Sequence, residues 1–327
     1  MDERQGFEVD LDLLRAFERG LDPRRPERSR VPARILGYGE ISTVFEIQAP
    51  GLQGLACKRL PLFRTPAEVA RYRRAYEEYI RLLSESIGLR LPRHGHAVLL
   101  DDSGLPVFYI IQERLPSSSI GSRAIHLLGT DDVCLLVHQV MGELLKVWEF
   151  NRRQSRVQVA IDGQISNWSI EGLDAGNPRV PAGASLLYLD TSTPLFHIEG
   201  VEQLDPELFL RSAPSFLVWL LRLLYLKGVV NRYYDLRLVT LDLIANFLKE
   251  QRPELVPRLV ELANAFFARQ ARQFGLRPIT EQEVHAYYRE DATIWSLYLA
   301  MRKIDRFLRT RLLGRPYPYI LPEKIER

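Results

Sequence analysis

Gly37-Tyr38-Gly39-Glu40-Ile41-Ser42-Thr43-Val44 is a glycine-rich turn between two runs of strand character, Arg34 to Leu36 and Thr43 to Gln48. A third run, Leu55 to Leu60, carries Lys58 in Leu55-Ala56-Cys57-Lys58. Glycine at 37 and 39 lets backbone amides approach a phosphate closely. Taken alone, the stretch reads more readily as an ordinary hairpin. It is a poor dinucleotide site, because that fingerprint opens a helix and this turn opens a strand.

Working outward, glycine or proline punctuates each bend of an antiparallel meander. Pro66 and the residues to Ile87 predict a helix capped by Thr65, with Val69, Tyr72, Tyr76, Tyr79, Ile80 and Leu83 on one apolar stripe. Two more strands, Ala97 to Leu100 and Val107 to Gln112, are joined by an Asp-Asp-Ser-Gly turn. Ahead of the sheet, residues 8 to 20 predict a short amphipathic helix, followed by an arginine- and proline-rich linker. Beyond Pro116 helical spacing dominates, over 131–150, 206–228, 233–250, 254–273 and 280–311, around an island of short strands and loops at 157–200. The reading is an α+β chain in three parts: a leading helix and basic linker (1–32), a five-stranded lobe with one helix (33–115) and a mostly helical lobe (116–327).

The island holds the polar residues with the most chemical promise. Asp162-Gly163-Gln164-Ile165-Ser166-Asn167 follows the apolar run Val157 to Ile161, and an aspartate and an asparagine five apart on a tight loop can turn oxygens toward one hard cation. An Asx turn with no ligand fits the same residues. Asp190 ends the buried-looking run Ser185 to Leu189, where a carboxylate needs a counter-charge, a metal or a capping role. In the first lobe Lys58 faces a cleft or solvent, and Glu77 or Glu78, about nineteen residues on, is spaced to pair with it.

In order and spacing, Gly37 to Val44, Lys58, Glu77, Asp162, Asn167 and Asp190 together resemble the protein-kinase-like superfamily, including its aminoglycoside phosphotransferase and choline kinase branches. The resemblance covers residues 33 to about 200 and implies a bilobal fold with ATP and magnesium between the lobes. It implies that Gly37, Gly39, Ser42 and Val44 cover the nucleotide, and that Lys58, held by Glu77, meets the α and β phosphates. Glu113 would fall at the hinge near adenine, Asn167 and Asp190 would hold magnesium, and Asp162 would accept or orient the acceptor proton. The departures are specific. Ser42 replaces a third glycine, Ala160-Ile161 stands where a His-Arg or His-Gly pair is usual, and Gln164 takes the place of a lysine of serine/threonine kinases. Asp190 is followed by Thr191-Ser192-Thr193-Pro194 rather than Phe-Gly, residues 172–183 lengthen the interval before it, and no Ala-Pro-Glu segment follows. The implied activity is phosphoryl transfer from ATP to a small-molecule hydroxyl. The alternatives are a pseudokinase that works through a protein partner, and a protein kinase or nucleotidyl transferase on the same fold.

Composition bounds the rest. A 327-residue chain with 46% hydrophobic residues can bury a sizeable core. A formal charge of +3, from 44 basic against 41 acidic residues, gives no footprint for nucleic acid. Cys57 and Cys134 lack metal-ligand spacing and read as buried free thiols. The polar start argues against a signal peptide, and the run Phe216 to Val230, interrupted by Arg222 and Lys227, is too short to span a bilayer, so a cytoplasmic protein is expected. His94-Gly95-His96 reads as a loop, Arg302 to Arg311 as a basic amphipathic helix, and the aromatic tail 316–322 as packing back on the second lobe.

Overall fold

The structure is a computed structural model that describes residues 9–38, 42–205, 208, 232–312, 314 and 317–321. Helix α1 (Leu11–Arg19) is capped by the Asp10 carboxylate, which accepts from the N–H groups of Asp12 and Leu13. Strands β1 (Ala33–Tyr38), β2 (Thr43–Ile47), β3 (Leu55–Leu60), β4 (His94–Leu100) and β5 (Pro106–Glu113) form one antiparallel sheet in the order β1-β2-β3-β5-β4. Helix α2 (Pro66–Arg81), capped by Thr65, continues as a wider π turn to Ile87. Five antiparallel strands and one helix before a mostly helical region agree with the α+β reading and are compatible with a kinase-like bilobal fold.

Register decides what each face of the sheet does, because side chains alternate along a strand. Val44, Lys58, Ile110 and His96 are successive cross-strand partners and share one face. That face receives α2, through Tyr72 and Tyr76 packed on Phe108. Thr43, Arg59, Tyr109 and Ala97 form the neighbouring row on the opposite face. There Leu14 and Phe17 of α1 close a core with Phe45, Ile47, Cys57 and Ile111. The leading helix is therefore built into the sheet's outer layer.

Within that layer the Arg59 guanidinium donates to both Glu18 carboxylate oxygens, at 2.9 and 2.6 Å, and Tyr109 donates to the same carboxylate. Burial alone would push the Glu18 carboxyl up, but Arg59 and Tyr109 outweigh it and hold it below the ordinary range.

The second lobe builds its core from α3 (Gly121–Leu127), α4 (Thr130–Arg153), α5 (Leu236–Lys249) and α6 (Val256–Arg269). Val133, Leu136, Val137, Val140, Met141, Leu144 and Val147 recur along α4 at helical spacing and are all buried. Helix α7 (Glu281–Phe307) opens with a reciprocal capping box between Thr280 and Glu283. The helix expected over 206–228 lies outside the described residues apart from Leu208.

Two expectations need correction. His94-Gly95-His96 begins β4 rather than forming a loop, and His96 stacks on Phe108. The tail packs onto the first lobe as well as the second: Ile320 joins the core of α1 and the sheet, its carbonyl accepts from Thr43 Oγ1, and the Pro318 carbonyl accepts from Arg59 Nη1 at 2.8 Å, while the Tyr319 ring lies against Arg302 of α7. Tyr317, Tyr319 and Leu321 fill the layer beneath the sheet with Leu60, Leu195 and Leu204. Charged Arg59 offers that tail a buried donor that aromatic composition alone does not announce.

Because Ile320 is buried with α1, Ile320→Ala should lower the free energy of unfolding by about 2–5 kcal/mol, read from urea denaturation; a neutral result would mean the tail does not dock. The Cys57 thiol, pushed up to about 12 by burial and by Glu46, should resist alkylation at neutral pH until the sheet opens.

Candidate functional site

The site is assembled by a small hairpin and a loop of the second lobe. Strands β7 (Trp168–Ile170) and β8 (Leu186–Tyr188) pair with Trp168 opposite Tyr188. The ladder continues one rung further, through the Leu189 N–H donating to the Asn167 carbonyl at 2.8 Å. This pairing brings Asn167 and Asp190 to the same end of the hairpin although 23 positions separate them. The 172–183 insertion is the connection at the other end, away from the site.

The loop after β6 (Val157–Val159) is anchored almost residue by residue. Asn151 holds both backbone groups of Val159 from the end of α4. Tyr79 of α2 donates to the Ala160 carbonyl at 2.8 Å, and the Ala160 N–H donates to Leu195. Asn167 Nδ2 donates to the Asp162 carbonyl, Trp168 Nε1 to the Gly163 carbonyl, and the Gln164 N–H to Asp162 Oδ1. Close packing also fixes two glycines: a Cβ at Gly163 would come within 2.7 Å of Val239 Cγ1, and one at Gly121 within 2.1 Å of the Ile165 carbonyl oxygen. The half-buried Asp162 carboxylate thus sits on a rigid frame. The hydroxyls of Tyr79 and Tyr188 both feel Asp162 and Asp190, so the two carboxylates belong to one neighbourhood.

Lys58 crosses from the sheet to this neighbourhood. Its Nζ donates to Asp190 Oδ1 at 2.7 Å and to Ser192 Oγ at 2.6 Å. Ser192 in turn donates to Asp190 Oδ1 through its hydroxyl at 2.8 Å and its N–H at 3.2 Å. Burial alone would raise the Asp190 carboxyl, but the Lys58 ammonium and the Ser192 donors outweigh it and hold the carboxyl below its ordinary range.

Glu77 is not part of this cluster. Tyr72, Tyr76 and Tyr79 occupy the inner face of α2, and Glu77 is rotated toward the β4 edge, where its Oε1 lies 3.3 Å from His96 Nε2 and 3.8 Å from Arg73 Nε. Glu78 pairs with Arg81 on the surface at 2.6 Å. The expected Lys58–Glu77 ion pair is therefore replaced by the Lys58–Asp190–Ser192 triangle.

The nucleotide positions are divided. Val44 is the cross-strand neighbour of Lys58, Gly37 lies where the β1–β2 register shifts, and Ser42 is buried at the start of β2. Gly39 lies outside the described residues. Glu113 is engaged in holding the backbone together. Its N–H donates to the Arg93 carbonyl and its carboxylate accepts from the Arg93 N–H, while the Arg114 N–H donates to Gly54. The neighbouring Gln112 joins the lobes by donating to the Leu189 carbonyl at 3.1 Å.

Gln164 faces inward, donating to Asp242 and accepting from Asn246 and Lys249 of α5. Among the described residues, no group of three or more His, Cys, Asp and Glu side chains is arranged as a metal site.

A model of a family of unknown function, DUF6206, matches residues 25–306. The chain belongs to that family. No curated protein matches the sequence. Among solved structures, WaaP in complex with acyl carrier protein is similar at 13% identity and a TM-score of 0.30, over 74% of this chain and 89% of that one. A likeness at that level carries no chemistry across.

Sequence reading passed over Ser192 and the hydroxyls of Tyr72 and Tyr79. The first stood only as a departure after Asp190, and the tyrosines only as apolar stripe. Three tyrosines on one helical face, where leucine would fill the space without a hydroxyl, were the available signal.

Lys58→Met strands the Asp190 carboxylate and should cost about 2–3 kcal/mol, less than a fully buried pair because both side chains keep some solvent contact. Since the Asp190 carboxyl is held below its ordinary 3.8, the pair's contribution is complete above that pH and fades as pH falls through the folded value. Denaturation of both proteins across pH 3–7 should show the deficit shrinking at the acid end. Glu77→Ala, on the exposed edge, should stay within about 0.5 kcal/mol.

Proposed function

We propose that this protein is an ATP- and magnesium-dependent phosphotransferase acting on the hydroxyl of a small molecule. One observation supports the reading: the sheet's Lys58 meets Asp190 beside Asn167 and the anchored Asp162 loop, so an ammonium, the Asp190 carboxylate and the loop that bears Asp162 lie together where the lobes join.

In this reading Lys58 turns from Asp190 to the nucleotide phosphates, and Gly37, Gly39, Ser42 and Val44 cover them. Asn167 and Asp190 would hold magnesium, which supplies charge neutralisation at the phosphates. Two protein oxygen ligands suit that ion, which commonly completes its shell with water and phosphate. Asp162 takes the proton of the acceptor hydroxyl as its oxygen bonds to the terminal phosphorus. The bond to the bridging oxygen breaks and ADP leaves. The backbone at Glu113 and Arg114 already serves Arg93 and Gly54, so adenine would be met from Leu115 onward.

A second reading, a nucleotide-binding module without transfer, is favoured by two observations. Glu77 does not support Lys58, and Gln164 is committed to α5 instead of the cleft. Such a protein would act through a partner.

Thermal unfolding with magnesium and ATP tests both. Native-state binding at a hundredfold excess over Kd adds about 2.7 kcal/mol of apparent stability. The expected shift requires the metal and is lost in Asp190→Ala. ADP release with a panel of hydroxyl acceptors, abolished by Asp162→Asn, supports transfer; binding without release in every case supports the module. No shift with any nucleotide would overturn both.

A further inference from the structure

The second half of α7, with the π turn that continues it from Leu308 to Leu312, presents an apolar face to solvent. Leu297, Ile304, Phe307 and Leu312 are 51, 49, 57 and 68% exposed. Steps of three and four from Leu297 through Ala300 and Ile304 to Phe307 place these residues on one side of the helix, over about 15 Å of its axis at 1.5 Å per residue. The opposite side is already committed. Met301, Arg302 and Asp305 are buried, and the Arg302 guanidinium lies over the rings of Tyr298 and Tyr319, 5.5 and 5.2 Å from their centroids. The tail therefore fixes which face looks outward.

The charge around this face is of one sign. From Ala292 to Leu312 there are five cations, Arg302, Lys303, Arg306, Arg309 and Arg311, against Asp305 alone, a net +4 where the whole chain nets +3. Residues 24–34, with five arginines against Glu27, carry the same net +4, so this is one of two basic stretches of the chain. Asp305 is buried and accepts from Arg309 at 3.1 Å, so that pair cancels, and Arg302 is buried on the far side, which leaves Lys303, Arg306 and Arg311 toward the surface. Lys303 and Arg311 are exposed, and Arg306 is partly so.

We propose that this face of α7 is a membrane-interface surface that binds anionic lipid bilayers. The helix lies in the headgroup plane, with Leu297, Ile304, Phe307 and Leu312 inserted and Lys303 and Arg311 at the lipid phosphates. Apolar bulk flanked by cations on one helix is the chemistry of interfacial binding. A second copy of the chain is a poorer occupant, because a twofold pairing of this face sets cations against cations. An acidic protein would need a groove matched to a convex row of separate side chains, whereas a fluid interface needs none. The proposal is independent of nucleotide chemistry. It also does not require a spanning segment, and no helix among the described residues is long and apolar enough to be one.

The test is cosedimentation of the full chain with vesicles of phosphatidylcholine alone or mixed with phosphatidylglycerol, at low and high salt. Binding to the mixed vesicles only, weakened by salt, is the expected result. Phe307→Asp should reduce the bound-to-free ratio about tenfold or more, and Arg311→Glu should weaken it in the same direction. Both residues are exposed, so unchanged unfolding curves should accompany the loss. Three results would overturn the proposal: no vesicle binding, with the chain retained instead on an acidic polypeptide; binding unaffected by Phe307→Asp; or light scattering that shows a dimer dissolved by that substitution in place of lipid binding.

Discussion

Two adjacent cations on one strand organise the molecule. Because side chains on β3 alternate, Lys58 points into the joint between the lobes and Arg59 into the outer layer. Arg59 gathers α1 through Glu18 and the tail through the Pro318 carbonyl. Lys58 gathers Asp190 and Ser192 from the second lobe. A slip of one residue in β3 would exchange these roles and bury each charge among the wrong partners, so pairing with β2 and β5 is held by electrostatics as well as by the apolar pattern. Such buried pairs add little net stability over apolar replacements, but breaking one leaves an expensive orphan charge. Their value here is that they penalise alternatives.

The second lobe answers with a loop that has almost no freedom of its own. Tyr79, Asn151, Asn167, Trp168 and Gln164 each fix a different point between Val159 and Asn167, and Gly163 lets the loop pack against Val239 and Leu144. Preorganisation of this kind places a carboxylate without an ordering cost at the moment of use. Asp162 owes its setting to residues on α2, α4, β7 and α5.

Much of this was legible in sequence, for identifiable reasons. Short β-branched and aromatic runs separated by glycine and proline gave the five strands, and Thr65-Pro66 gave the start of α2. The interval between Asp162 and Asn167 is local, so their place on one tight loop could be anticipated. Glu77 failed because separation along a helix fixes reach but not rotation; the tyrosine face turned it to His96. The tail's contact with the first lobe was hidden for a different reason. Ile320 meets Thr43 across 277 positions, and no local pattern marks a contact of that range. Ser192 was visible only once the β7–β8 hairpin had set Asp190 beside Lys58.

The hydroxyls on α2 carry one more consequence. Tyr72 donates to the Ser192 carbonyl and Tyr79 to the Ala160 carbonyl, so one helix of the first lobe is pegged to the two loops that bear Asp190 and Asp162. A helix held at two points more than a turn apart cannot pivot about either without breaking the other bond in a dry setting. Displacement of α2 would drag both loops with it, so the joint behaves as one rigid wedge rather than as a lever.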